Sequence, residues 1–118
     1  MDMKQGKKLL GDLGETLAAD FLERSGCELL ARNYRKSGGE IDIIAKDGQF
    51  VVFIEVKTRR SESFAAPIES VGERKRAKLR VAAEKWLAET GYAGFCRFDV
   101  IEIVIAGTDP LIRHWRDA

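Results

Sequence analysis

The apolar run at residues 50–54 is the feature that most constrains the fold of this chain. It holds only phenylalanine, valine and isoleucine, the aromatic and β-branched residues that favour strands. A strand that is apolar on both faces is buried on both faces, as happens in a sheet that helices cover on each side. The run therefore predicts a central strand over residues 50–58.

Further elements are predicted on either side of this strand. Apolar residues at three- and four-residue spacing predict one helix over about 7–24 and a second one, opened by Pro67, over about 67–89. Alternating or continuous apolar residues predict the remaining strands at 27–34, 40–45 and 95–105. The order α-β-β-β-α-β predicts an α/β fold in which helices flank a central sheet.

Length and composition indicate the class of protein. A chain of 118 residues has the size of one domain, so we expect a single domain over 1–118. Its polar tail at 107–118 is expected to be loosely held unless Trp115 anchors it. No apolar stretch approaches the ~20 residues that span a bilayer, and the N-terminus lacks the apolar part of a signal peptide. The two cysteines, Cys27 and Cys96, are expected to be reduced thiols in the core. We therefore expect a cytoplasmic protein that does not bind membranes.

Charged residues stand where the predicted strands should be apolar. Asp42 lies within the second strand, and Glu55 and Lys57 stand near the end of the central one. Burying a carboxylate is costly unless it is paired or binds a metal ion. The Asp47-Gly48 turn predicts that the second and third strands form a hairpin, which would bring Asp42 and Glu55 close together.

Two neighbouring carboxylates repel each other, and a divalent cation held by oxygen ligands removes that repulsion. We predict an Mg²⁺ or Mn²⁺ ion bound by Asp42 and Glu55, with the backbone carbonyl of Val56 as a further ligand. Glu15, from the first helix, would bind a second metal ion or hold the attacking water. Lys57 would orient or deprotonate an attacking water, or offset negative charge in the transition state. The predicted catalytic residues are Glu15, Asp42, Glu55 and Lys57.

Some of these charges also fit simpler interpretations. Glu55 and Lys57 would fit a set of ion pairs on an exposed face, which contributes little to stability. Glu40 is either a further ligand or the partner of Arg59 or Arg35. The single histidine, His114, is expected to be a surface or packing residue, because nothing near it in the sequence completes a site.

Basic residues are concentrated at the start of the second helix. The net charge of the whole chain is only +1, so affinity for nucleic acid would have to come from a local patch. Residues 74–80 hold five cations, which form either a solvated helix face or a surface that contacts phosphates. Lys75 is expected to point toward the sheet. The predicted nucleic-acid-binding residues are Arg35, Arg59, Arg74, Lys75 and Lys78.

Several segments resemble the YraN-like family of uncharacterised bacterial proteins, and the resemblance extends over about residues 6–105. These segments are at 14–15, 32–35, 39–45, 52–59 and 97–100. The resemblance implies a restriction-endonuclease-like fold with a mixed sheet, in the PD-(D/E)xK superfamily and close to archaeal Holliday junction resolvases. Glu15 then matches the acid of the first helix, Asp42 the aspartate of the signature, and Glu55 and Lys57 its (D/E)xK part. Ile41 replaces the signature proline, which is often missing in this superfamily.

These observations predict a metal-dependent endonuclease that hydrolyses phosphodiester bonds of DNA, with branched or damaged DNA as candidate substrates. One alternative is a nucleic-acid-binding module that keeps the fold without catalysis. Another is a scaffold protein whose charges are structural. A resolvase-like activity would require a two-fold homodimer to match a symmetric junction.

Overall fold

The computed structural model describes residues 3–60 and 73–118. In them the predicted order α-β-β-β-α-β is confirmed, and one strand that was not predicted follows it. The elements are α1 (Met3–Arg24), β1 (Glu28–Lys36), β2 (Gly39–Asp47), β3 (Phe50–Arg60), α2 (Glu73–Thr90), β4 (Phe95–Ala106) and β5 (Asp109–Trp115). The predicted helix start at Pro67 lies outside the described residues.

The strands form one mixed sheet in the order β1-β2-β3-β4-β5. All neighbouring pairs are antiparallel except β3 and β4, which run parallel. β3 is therefore the middle strand, and its residues from Val51 to Glu55 are buried. The predicted hairpin of β2 and β3 is confirmed, and Gly48 supplies the positive φ of 60° that its turn requires.

Each face of the sheet is covered by one helix. Ala18, Ala19 and Leu22 of α1 pack on a set that includes Val52 and Ile54 of β3. On the other face the core includes Leu79 and Ala82 of α2 and Val51 and Phe53 of β3. The two faces use alternate residues of β3 because successive side chains of a strand point in opposite directions. Neither helix, within the described residues, has the length and apolar character needed to cross a membrane.

Two glycines allow the helices to approach the sheet closely. A Cβ atom at Gly14 would lie 1.8 Å from Thr58 Oγ1 of β3. A Cβ atom at Gly39 would lie 2.6 Å from the backbone nitrogen of Ala82 in α2. Gly14 and Gly39 directly precede Glu15 and Glu40 in the sequence. The close approaches therefore fix the positions of both acidic residues.

The expectation of a loosely held tail at 107–118 is wrong, because β5 pairs with β4 along residues 109–115. Polar contacts hold this segment where the sequence offers few apolar residues. Asp99 of β4 is fully buried, and its carboxylate accepts a hydrogen bond from the backbone N–H of Asp117 at 2.9 Å. His114 Nε2 lies 2.8 Å from Asp99 Oδ2, and its ring packs against Phe21. The prediction that His114 is a packing residue is confirmed.

Both cysteine thiols are free, as predicted, but their burial differs from the expectation. Cys27 is half-buried, and burial raises the pKa of its thiol. Cys96 is exposed, so the prediction of a core position is wrong there. The first two residues of β4 are exposed, and the strand is fully buried only from Asp99 onward.

Candidate metal and nucleic-acid site

The candidate site begins where the pairing of β2 and β3 ends. That pairing runs from Asp47 and Phe50 to Ile43 and Ile54. One residue beyond it, the Asp42 carboxylate accepts a hydrogen bond of 2.8 Å from the backbone N–H of Val56. This bond holds Asp42 against β3.

Glu55 is a buried carboxylate on the α2 face of the sheet, with only 3% of its surface exposed. Its neighbours Ile54 and Val56 pack with α1, so Glu55 points the other way. Glu55 Oε1 lies 2.9 Å from Lys75 Nζ of α2. The second oxygen, Oε2, is buried and accepts no hydrogen bond from the described residues. The alternative interpretation, in which Glu55 belongs to an exposed ion-pair set, is therefore wrong.

Glu55 and Asp42 influence each other strongly. Burial raises the pKa of Glu55 to about 7, and the negative charge of Asp42 raises it as well. The bond from Lys75 lowers the pKa of Glu55 but offsets only part of this effect. At neutral pH the two carboxylates together therefore favour the uptake of a proton or of another cation.

Glu15 approaches Asp42 from the α1 side of the sheet and is 7% exposed. Burial raises the pKa of Glu15, the bond from Arg32 lowers it, and the charge of Asp42 raises it. Arg32 Nε donates to Glu15 Oε1 at 3.3 Å. In the described part of the chain, no three histidine, cysteine, aspartate or glutamate side chains form a group that could hold a metal ion. The close acidic pair is thus Asp42 and Glu55, with Glu15 as a neighbour that Arg32 holds.

Lys75 lies against the sheet, as predicted, and contacts two acids. Its Nζ lies 2.9 Å from Glu55 Oε1 and 3.4 Å from Glu40 Oε1. Burial lowers the pKa of Lys75, but the bond to Glu55 and the charges of Asp42 and Glu40 outweigh it and raise the pKa overall. The described contact of Glu40 is thus with Lys75, and Arg59 Nε donates to another acid, Glu102 Oε2, at 3.0 Å.

Lys57 is half-buried and shares the face of Glu55, because the two residues are two positions apart on β3. In the parallel pairing of β3 and β4 it lies beside Glu102, whose side chain is almost fully buried. Glu102 also lies 3.7 Å from Arg113 Nη1 of β5. Lys57 is therefore next to the acidic pair along the strand, in a region that holds further cations.

A groove of about 820 Å³ runs along the α1 side of the site. Its walls include Asp42, Glu15 and Val56, together with four cationic residues. The lining residues are Lys8, Leu10, Gly11, Asp12, Glu15, Asn33, Arg35, Asp42, Val56, Thr58, Arg59 and Arg60. Acidic and basic side chains therefore meet in one depression.

Apart from Lys75, which pairs with Glu55, the predicted basic residues separate into two groups. Arg35 and Arg59 line the groove, whereas Arg74 and Lys78 are exposed on α2 outside it. Lys8 also lines the groove, although the sequence analysis missed it. The sequence could have indicated this position, because Lys8 stands seven residues before Glu15, and that spacing places both side chains on one face of a helix.

The uncharacterised protein family UPF0102 matches this chain over residues 14–103. That range is more than half of the chain. The chain belongs to this family. A UPF0102 protein of Rhodococcus jostii is 44% identical over 111 residues, which cover 92% of this chain and 94% of the relative. A UPF0102 protein of Geobacter metallireducens is 45% identical over 113 residues, with 95% and 93% covered. A third, from Moorella thermoacetica, is 48% identical over 102 residues, with 86% and 85% covered.

The UPF0102 match includes Glu15, Asp42, Glu55, Lys57 and Lys75. The predicted membership in a family of uncharacterised proteins is thereby confirmed. The names of the relatives state the family and no activity.

Proposed function

We propose that this UPF0102 protein is a metal-dependent endonuclease that hydrolyses phosphodiester bonds of DNA. The observation that supports it best is the pairing of buried Glu55 with half-buried Asp42, together with one buried Glu55 oxygen that accepts no hydrogen bond from the described residues. Two ionised carboxylates in this position are unfavourable unless a cation neutralises them. The resemblance of these residues to the PD-(D/E)xK signature points to the same chemistry.

The acidic pair fits a hard divalent ion. Mg²⁺ commonly takes one or two carboxylates and completes its shell with water and phosphate oxygens, so a site of two carboxylates is sufficient for it. Asp42 and Glu55 would hold Mg²⁺ or Mn²⁺ together with the Val56 carbonyl. Glu15 does not form a group of three with them, so it would bind a second ion or hold the attacking water. The bound ion would supply a water of lowered pKa and would stabilise negative charge at phosphorus.

The protein's own side chains would bind and orient the reactants. The backbone N–H of Val56 holds Asp42, and Arg32 holds Glu15, so both carboxylates have fixed directions. Lys57 would orient the attacking water or accept its proton. The cations of the groove, among them Arg35 and Arg60, would contact backbone phosphates and place the strand beside the acids.

Cleavage of supercoiled plasmid and of a four-way junction tests the proposal. With Mg²⁺ or Mn²⁺ the parent protein is expected to cut, and Asp42→Asn and Lys57→Ala are each expected to lower the rate at least about 100-fold, the scale of a lost catalytic group. Asp20→Asn, at an exposed position of α1, is the matched control and should cut like the parent. Equal cleavage by all four proteins would indicate a contaminating nuclease and would contradict the site.

A non-catalytic nucleic-acid-binding module is the second candidate. One observation favours it: the Lys75 ammonium already neutralises part of the charge of Glu55 without a metal ion. This function predicts salt-dependent DNA binding that survives Glu55→Ala, and no cleavage with any divalent ion. The nuclease proposal predicts the opposite result for cleavage.

The proposal also includes a cellular compartment and an oligomeric state for the protein. The free thiols of Cys27 and Cys96 fit a reducing compartment, so we place the protein in the cytoplasm. Cleavage of a symmetric four-way junction would require a two-fold dimer. Sedimentation with junction DNA should then show two copies of the 13.2 kDa chain per junction.

A further inference from the structure

A second pocket lies on the α2 face of the sheet, next to the candidate site. Its floor includes Phe53 and Phe98, which are side by side in the parallel pairing of β3 and β4. Phe53 precedes Glu55 by two residues, and Arg76 of the pocket wall directly follows Lys75. Since two residues of a strand span ~6.6 Å, the pocket begins about one nucleotide's length from the acidic pair.

The pocket combines aromatic and cationic walls. Its volume is about 240 Å³, and its lining residues are Phe53, Arg76, Leu79, Arg80, Ala83, Phe98 and Ala118. The Arg76 guanidinium lies 5.7 Å from the centre of the Phe98 ring, the geometry of a cation–π contact. Drug-sized ligands occupy cavities of roughly 300–1,000 Å³, so this pocket suits a single small ring system.

We propose that this pocket binds one unpaired base of the DNA substrate, while the adjoining phosphate lies at the Glu55 and Lys75 end. This inference rests on the proposed function and adds a substrate class to it. Proteins hold unstacked bases against aromatic rings and guanidinium planes, and both are present here. A base within an intact duplex cannot reach such a pocket without leaving the stack. The preferred substrate is therefore DNA that carries unpaired nucleotides, such as a bulge or a flap.

Binding without cleavage tests this inference. The full chain carrying Asp42→Asn is titrated into two fluorescein-labelled duplexes that differ only in one central unpaired adenine. The bulged duplex is expected to bind at least about tenfold tighter, since stacking of one base is worth that much. Phe98→Leu and Arg76→Gln, each added to this chain, are expected to reduce the preference below about threefold. Phe98→Leu keeps an apolar side chain at its position, and Arg76 is exposed. A loss of the preference in both variants would therefore not be explained by misfolding.

A matched control lies on the same strand. Phe95 of β4 is 63% exposed and does not line the pocket, so Phe95→Leu should keep the full preference. With 2-aminopurine as the unpaired base, fluorescence should change when the Asp42→Asn chain binds, because the base leaves its neighbours in the DNA, and Phe98→Leu should abolish most of that change. Equal affinity for both duplexes, or a preference that survives both pocket variants, would overturn the inference.

Failure of the base-binding inference can be distinguished from failure of the proposed nuclease function. Cleavage with Mn²⁺ by the parent chain, without a preference for the bulge, would contradict base binding in the pocket but would support the proposed nuclease activity. A bulge preference that Phe98→Leu abolishes, in a protein that never cleaves DNA, would support base binding in the pocket and would contradict the proposed nuclease activity.

Discussion

At the scale of single residues, Glu55 is the group whose environment fits its charge least well. Burial and the charge of Asp42 raise its pKa from the ordinary 4.5 to about 7, even though Lys75 bonds it. By contrast, Asp99 is equally buried but fully bonded. Burial alone would raise the pKa of Asp99, yet its bonds to His114 and Arg97 lower it to about 2. The comparison supports the proposal that Glu55 binds a cation, whereas the bonds of Asp99 hold the fold.

The pH dependence of stability tests this assignment. The pKa of Glu55 is higher in the folded state than in the unfolded state. The contribution of Glu55 to the unfolding free energy is therefore full below about pH 4.5 and is lost as the pH rises through about 7. Without divalent ions, Glu55→Gln is therefore expected to gain up to ~3 kcal/mol in unfolding free energy relative to the parent between pH 5 and pH 8. Urea denaturation at four pH values measures this difference. Glu84→Gln, exposed on α2, should follow the parent, and a Glu55→Gln curve parallel to the parent's would contradict the assignment.

At the scale of elements, the sequence predicted the strands from β1 to β4 well and missed β5 at one edge of the sheet. The run at 50–54 predicted β3 because a two-sided apolar strand has a strong pattern. β5 was missed because an edge strand needs few apolar residues, and much of its attachment comes from the polar contacts of Asp99. Such contacts depend on tertiary packing, which local patterns do not encode.

Two glycines of α1 form a matched pair for testing how the helix positions Glu15. A Cβ atom at Gly14 would clash with Thr58, so Gly14→Ala should push α1 away from β3 and lower the unfolding free energy by ~1–3 kcal/mol. A Cβ atom at Gly11 meets nothing within 4 Å, so Gly11→Ala should raise it by up to ~1 kcal/mol through helix propensity. Thermal denaturation compares the two variants. A Gly14→Ala protein as stable as Gly11→Ala would show that the close approach is not required.

At the scale of the whole molecule, the sheet gathers residues that are distant in sequence, and this was only partly predictable. The turn at Asp47-Gly48 predicted that Asp42 and Glu55 meet, because a hairpin fixes its own register. The sequence did not predict that Glu15 and Glu55 approach Asp42 from opposite faces of the sheet, because that depends on which face each helix covers. The pairing of Lys75 with both Glu55 and Glu40 likewise depends on the packing of α2.

The salt dependence of DNA binding tests the groove as a whole. Four cations line it, and Arg59 among them is already bonded to Glu102. Three to four released counterions predict a slope of log affinity against log salt of about −3 to −4 for duplex DNA, with Arg35→Gln reducing it by about one. Anisotropy titrations with the Asp42→Asn chain at several salt concentrations give these slopes. Arg24→Gln, exposed and outside the groove, should leave the slope unchanged; a slope near zero for the unmodified groove would exclude phosphate contacts there.

Calorimetric titration of Mn²⁺ into the protein at pH 7.5 tests the central claim most directly, because it reports ion binding without any substrate. We predict that the parent chain and the exposed control Asp20→Asn bind the ion, and that Asp42→Asn and Glu55→Gln each lose at least about tenfold in affinity through the loss of a ligand. Binding that is absent from the parent at millimolar Mn²⁺, or unchanged in both variants, would contradict the account.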